Sequence, residues 1–234
     1  MKELWLFKFK IDLSHFRYLI LTICYIFIDE VTWSKETING DDQPVPRSQH
    51  VALPCLNNTR VWVFGGHHDP KTRLNDTWFF NIKEMEWRRV GNEKNNLENQ
   101  ASTIGAPSPR ANTGAIILND KVYLFGGHGG LNYSRVALND LYSFDLKEEV
   151  WEKLVPANTG PEGRGGHSVF AAGDKIYIYG GWNNEMQYNN IWFYDLTTNE
   201  WTDPDIYNGT PRWNHSSVLV PAIPTWKFFI FGGE

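Results

Sequence analysis

One short string occurs four times in this chain: an alternating apolar run closed by two glycines. It reads Val61-Trp62-Val63-Phe64-Gly65-Gly66, then Val122-Tyr123-Leu124-Phe125-Gly126-Gly127, then Ile176-Tyr177-Ile178-Tyr179-Gly180-Gly181, and last Phe228-Phe229-Ile230-Phe231-Gly232-Gly233. The runs are rich in β-branched and aromatic residues, which suit a pleated surface, and each is long enough for a single strand. Two glycines in succession supply a backbone that can take positive φ and let a neighbouring chain come close. A fold for this chain must therefore offer four similar strands four similar environments.

Other residues recur around the string. Arg47, Arg110, Arg164 and Arg212 precede the glycine pairs, and Trp87, Trp151 and Trp201 follow the first three. Between pair and Trp lies a second apolar run, opened by Asn75-Asp76, Asn139-Asp140 or Asn189-Asn190 and ending five residues before the Trp. Successive Trp residues are 64 and 50 positions apart, so the variable length falls in the connections. A unit of roughly 50 residues cannot bury both its own faces and implies a stacked or radial repeat.

The pattern Arg, strand, Gly-Gly, Asn-Asp, aromatic run, Trp resembles the kelch motif over about residues 46–234. The resemblance implies an all-β fold, a kelch-type β-propeller of four-stranded antiparallel blades. Units at about 46–87, 109–151, 163–201 and 211–234 would form three complete blades and the inner half of a fourth. Residues 22–35 match the second half of a unit, because Ile28 stands five residues before Trp33 as Ile82 does before Trp87. The expected domain is thus 21–234, preceded by a segment 1–20 that fits no repeat. Thr22 and Phe27 depart from the pattern where Asp stands elsewhere. Two closures stay open: a blade shared between the two ends of the chain, or an arc of a larger propeller.

Residues 18–28 are strongly apolar and follow Lys2, Lys8, Lys10 and Arg17, as in a signal or anchor. The run is well short of the ~20 residues that span a bilayer, and no small-residue cleavage site follows it. The expected location is the cytoplasm, with a secretory one as the alternative if residues 1–28 act as signal or anchor. Cys24 and Cys55 do not make a disulfide framework. Sequons at Asn57, Asn75, Asn132, Asn208 and Asn214 would matter only in a secretory protein, and in an Asn-rich chain such triplets arise by chance. A polar stretch between Arg88 and Ser108 buries little and reads as a mobile loop.

A formal net charge of −5 with scattered Lys and Arg excludes a nucleic-acid surface, which needs a basic stripe. No nucleophile elbow, phosphate loop or His-Glu-x-x-His is present. His50, His167 and His215 each stand three residues after an Arg, with Thr113 in the fourth place. They are expected as packing residues beside arginines that bond backbone carbonyls. The copper site of the kelch-like enzyme galactose oxidase needs a Cys-Tyr crosslink that Cys24 and Cys55 do not match.

No catalytic residue, metal or cofactor is expected. What remains is a surface: the connections after the glycine pairs and after the Trp residues, on one face. They carry His67, His68, Arg73, His128, Tyr133, Arg135, Trp182, Tyr188 and Trp213, the residue types from which binding hot spots are built. The expected function is a non-enzymatic adaptor for a protein or peptide, with no nucleic acid and no membrane. The alternatives are a metal-dependent oxidase-like enzyme and a secreted, glycosylated binding protein.

Overall fold

The computed structural model describes residues 4–11, 28–91, 105–206, 209–220 and 225–234. Most of the apolar run at 18–28, the polar stretch at 92–104 and the sequon at Asn208 lie outside the described residues. The chain divides into two compact units, residues 1–41 and 42–234.

In the first unit, β1 (Leu4–Ile11) pairs antiparallel with β2 (Ile28–Glu36), with Phe7 opposite Trp33. Of the expected outer strand pair at residues 22–35, positions 22–27 lie outside the described residues.

The second unit contains three four-stranded meanders. The first blade is β3 (Val51–Cys55), β4 (Arg60–Asp69), β5 (Thr72–Asn81) and β6 (Glu86–Arg89). The second holds β7 (Gly114–Leu118) and β8 (Lys121–Phe125). After a short ribbon of β9 (His128–Gly129) and β10 (Val136–Ala137) come β11 (Leu141–Asp145) and β12 (Trp151–Leu154). The third is β13 (Ser168–Ala172), β14 (Lys175–Tyr179), β15 (Ile191–Asp195) and β16 (Glu200–Thr202). β17 (Ser216–Val220) and β18 (Lys227–Phe231) form a two-stranded sheet that repeats the inner half of a blade.

The repeated residues explain each boundary. The outer hairpin turns close on the Asp or Asn at the tail of the second run. Asp145 Oδ1 accepts from the backbone of Lys147 and Glu148, Asp195 Oδ1 from that of Thr197, and Asn81 Oδ1 from those of Lys83 and Glu84. Such Asx turns are a standard route out of a strand. The inner strands are apolar on consecutive positions, with Trp62-Val63-Phe64 all buried.

Blades are joined at the glycine pairs. The amides of Gly66, Gly127 and Gly181 donate to the carbonyls of Arg110, Arg164 and Arg212 in the following repeat, at 2.8–2.9 Å. A Cβ on Gly65, Gly126 or Gly180 would sit 2.7–2.8 Å from the same carbonyl oxygens, and all three have φ near +65°. The glycine is there because backbone occupies the space of a side chain.

The arginine side chain then reaches back across its own blade. Arg110 donates through Nε to Ser108 O (3.0 Å), through Nη1 to Gly126 O (3.0 Å) and Asp140 Oδ1 (2.5 Å), and through Nη2 to Asp140 Oδ2 (2.9 Å). Arg47 does the same with Val45, Gly65 and Asp76, and Arg164 with Glu162, Gly180 and Asn190. The Asn-Asp pair of the motif is therefore the arginine's partner. The buried guanidinium keeps its donors satisfied, which is what makes burial of a charge tolerable.

Trp151 and Trp201 each pack on the blade before their own. Trp151 lies 5.0 Å from Phe64 and 5.8 Å from Trp62 between ring centroids, and its Nε1 donates to Thr77 Oγ1 at 3.1 Å. Trp201 lies 5.3 Å from Phe125. The residues one place before His50, Thr113, His167 and His215 share a left-handed backbone and bond head to tail. Asn112 N donates to Gln49 O, Gly166 N to Asn112 O, and Asn214 N to Gly166 O, at 2.8–3.0 Å. This string holds the four repeats around one cleft of about 230 Å³.

Candidate binding face

Beyond each glycine pair the two middle strands of a blade continue into a projecting ribbon. The sequence reads these segments as loops, because they lack apolar alternation. In the first blade β4 and β5 run on to a tight turn at Pro70-Lys71, capped by Asp69. Its carboxylate accepts from the backbone of Lys71 and Thr72 and from Thr72 Oγ1. β9 and β10 do this in the second blade. In the third, Trp182 bridges Gln187, and Asn183 Oδ1 caps the turn at Glu185 and Met186.

The ribbons lean on one another in order. Arg73 Nη1 donates to Gly130 O (2.9 Å) and, more weakly, to Asn132 O (3.4 Å), tying the first ribbon to the second. Asn184 Nδ2 donates to Arg135 O (3.3 Å), while the Arg135 guanidinium lies 6.0 Å above the Trp182 ring. Trp182 meets Trp213 in a tilted contact at 4.9 Å and His128 edge-on at 5.6 Å. Six of the nine residues expected on the face thus converge: His67, Arg73, His128, Arg135, Trp182 and Trp213.

The remaining three separate. Tyr133 is 71% exposed, with Lys71 Nζ 5.4 Å from its ring. His68 is exposed and its Nδ1 lies 3.0 Å from Pro46 O. Tyr188 is buried. Its ring lies 3.9 Å from the Arg164 guanidinium carbon, and its hydroxyl accepts from Asn183 Nδ2 at 2.7 Å. Tyr188 therefore supports the arginine and presents nothing to solvent. Arg73 and His128 are also buried, beneath the face. The segment after Trp151, expected on the same face, runs instead along the third blade's outer strand. There the Asn158 side chain brackets the backbone of Trp201.

The cluster is electropositive. Arg73 and Arg135 make no ion pair among the described residues. Burial, then repulsion from Arg135, lowers the Arg73 pKa. Burial also lowers His67, with Arg73 and Arg135 adding to it, and pushes His128 down to about 4. Arg73 Nε, His67 Nδ1 and His128 Nε2 are buried without a hydrogen-bond partner. Among the described residues no group of three or more His, Cys, Asp or Glu could hold a metal ion. The arrangement can hold an extended chain by aromatic contact and by donation to oxygen acceptors; it offers no nucleophile and base in contact.

A pH effect follows. His128 stays neutral in the fold down to about pH 4, whereas an unfolded chain binds that proton near the ordinary 6.5. The unfolded state therefore holds more protons between those values, and stability falls as pH falls through that window. His167, pushed down to about 3 by burial, acts in the same direction. Urea midpoints between pH 7 and 4 are expected to decline, and His128→Gln to flatten the decline. Parallel profiles for the two proteins would remove His128 from this account.

The family described as KLHDC2/KLHL20/DRC7 Kelch-repeats domain matches residues 18–233. Kelch domain-containing protein 3 of Homo sapiens is 30% identical over 197 residues, covering 81% of this chain and 49% of that protein. Kelch domain-containing protein 1 of Mus musculus is 24% identical over 225 residues, covering 88% of this chain and 53% of that protein. Tip elongation aberrant protein 1 of Schizosaccharomyces pombe is 26% identical over 212 residues, covering 86% of this chain and 17% of that protein. The chain thus spans about half the length, or less, of these relatives.

Proposed function

The chain belongs to the kelch-repeat family, whose domains serve in general as protein-interaction modules, and we propose that this one is a non-enzymatic adaptor binding an extended protein segment across its ribbon face. The supporting observation is the cluster around Trp182. Aromatic surface lies beside two arginines without carboxylate partners, with three buried polar nitrogens unsatisfied. The exposed guanidinium of Arg135 beside the Trp182 ring can meet an incoming chain bearing carbonyl or carboxylate oxygens. Trp, Tyr and Arg are the residues that carry interface energy, and here they stand on a rigid scaffold. The preferred segment is acidic, since the exposed Arg135 makes no ion pair among the described residues.

The proposed setting is the cytoplasm. Cys55 is a buried free thiol, which suits a reducing compartment. No helix of the described residues is long and apolar enough to cross a membrane.

Affinity capture tests the face. Arg135→Glu combined with Tyr133→Ala changes two exposed side chains and leaves the blades intact. The double variant is expected to bind its captured partners about 10- to 100-fold more weakly at an unchanged melting temperature. Equal recovery of partners by both proteins would discard the ribbon face as the binding surface.

A further inference from the structure

We infer that the tips of the second and third ribbons form an apolar subsite around Arg135, and that the partner segment carries a large aliphatic residue two positions from its acidic one. This rests on the ribbon face being the binding surface, and adds to it a second element of selectivity.

Large apolar side chains gather at these two tips. Leu131 is 83% exposed and Met186 56%, and Tyr133 and Val136 also stand in solvent. The turns themselves do not require them. In the second ribbon Gly130 and Asn132 take the left-handed positions, and Ser134 N closes the turn by donating to Leu131 O at 3.0 Å. In the third, Asn183 Oδ1 accepts from the amides of Glu185 and Met186, and Asn184 holds the positive φ. Glycine and asparagine are what such turns ask for. Leu131, Tyr133 and Met186 answer no local need, and each forgoes burial by facing water. Apolar residues collected on one surface and rimmed by charge mark an interaction site.

The tips are tied to one another. Asn184 Nδ2 donates to Arg135 O, joining the third turn to the second. Lys71 Nζ lies 5.4 Å from the Tyr133 ring, joining the first to the second. The apolar groups of the second and third turns therefore lie to either side of Arg135. The first tip, Pro70-Lys71, supplies a cation and no large apolar side chain.

Charge decides where the acidic residue goes. Arg135 and Lys71 are exposed and make no ion pair among the described residues. The Asp69 carboxylate is occupied by the donors of its own turn. Glu185 is exposed on the third turn and repels an acid there. The acid is thus directed to Arg135 and the apolar residue to Leu131 and Met186. Alternate side chains of an extended segment face the same way, which sets the separation at two positions.

The test uses the full chain and short labelled peptides of Ser and Thr in four compositions: Asp and Leu two positions apart, Asp alone, Leu alone, and Lys with Leu. The peptide with Asp and Leu is expected to bind about tenfold or more tightly than any other, the gain that a well-placed apolar anchor gives. Leu131→Ser combined with Met186→Ser alters exposed side chains only. At an unchanged melting temperature it should bring that peptide to the level of Asp alone, and leave binding of Asp alone as it was. Equal binding of the peptides with and without Leu, or a preference for Leu that survives in the double variant, would overturn the apolar subsite while leaving the ribbon face in place. No binding by any peptide, or binding that Arg135→Glu leaves unchanged, would overturn the ribbon face and the subsite together.

Discussion

Replacing Trp151 with Ala is expected to cost about 3–5 kcal/mol of folding stability, the range for truncating a buried aromatic. Trp151 is buried and fills the seam between the first two blades, touching Trp62, Phe64, Tyr142 and Phe144. Its indole also satisfies Thr77 Oγ1, whose side chain is buried. The surrounding rings belong to two different sheets that are pinned by backbone bonds, so they cannot collapse into the space left behind. Trp87 is the internal comparison. It occupies the same repeat position but is half-buried, packed on Phe80 and Trp78 of its own blade. Trp87→Ala should cost clearly less. Urea unfolding of the two variants measures the difference, and equal losses would mean that Trp151 is no seam between blades.

Gly126→Ala should cost about 2–5 kcal/mol, the sum of a left-handed backbone penalty and a steric one. Gly126 has φ +62°, and a Cβ there would lie 2.7 Å from Arg164 O and 2.9 Å from Leu138 O. Both obstacles are backbone, held by hydrogen bonds, and cannot swing aside as a flexible side chain could. Gly232→Ala isolates the first term. Its φ is +70°, yet no atom stands within 4 Å of the added carbon, so about 1–2 kcal/mol is expected. The pair of variants separates conformation from crowding at equivalent positions of one repeat. Equal losses for Gly232→Ala and Gly126→Ala would show that crowding by backbone at Gly126 adds nothing to the conformational cost.

How far the site could be read from sequence differs by residue. The four glycine-closed strands and the Trp positions are periodic features: alternation and constant offsets state them without coordinates. Arg47, Arg110 and Arg164 were legible as buried donors to backbone. Their carboxylate and amide partners were present as a repeated Asn-Asp or Asn-Asn pair, but nothing local links a strand-opening Asp to an Arg about 30 residues earlier.

The binding face was legible only as a set of connections. Tyr188 and Trp182 look equivalent in sequence, two aromatics flanking one loop. Tyr188 turns inward because the buried Arg164 guanidinium offers it a cation and Asn183 a hydrogen bond. His128 and Arg73 look like solvated loop residues and are buried because the ribbons of adjacent blades lean across them.

The repeat spacing alone therefore dictated the strands and the positions of the recurring Arg, glycine pair and Trp, since those depend on backbone conformation and on period. Stacking of the blades decided which side of each ribbon sees water and which charges around Trp182 are left without carboxylate partners among the described residues. Those outcomes depend on neighbours from other repeats, and distance along the chain carries no information about them.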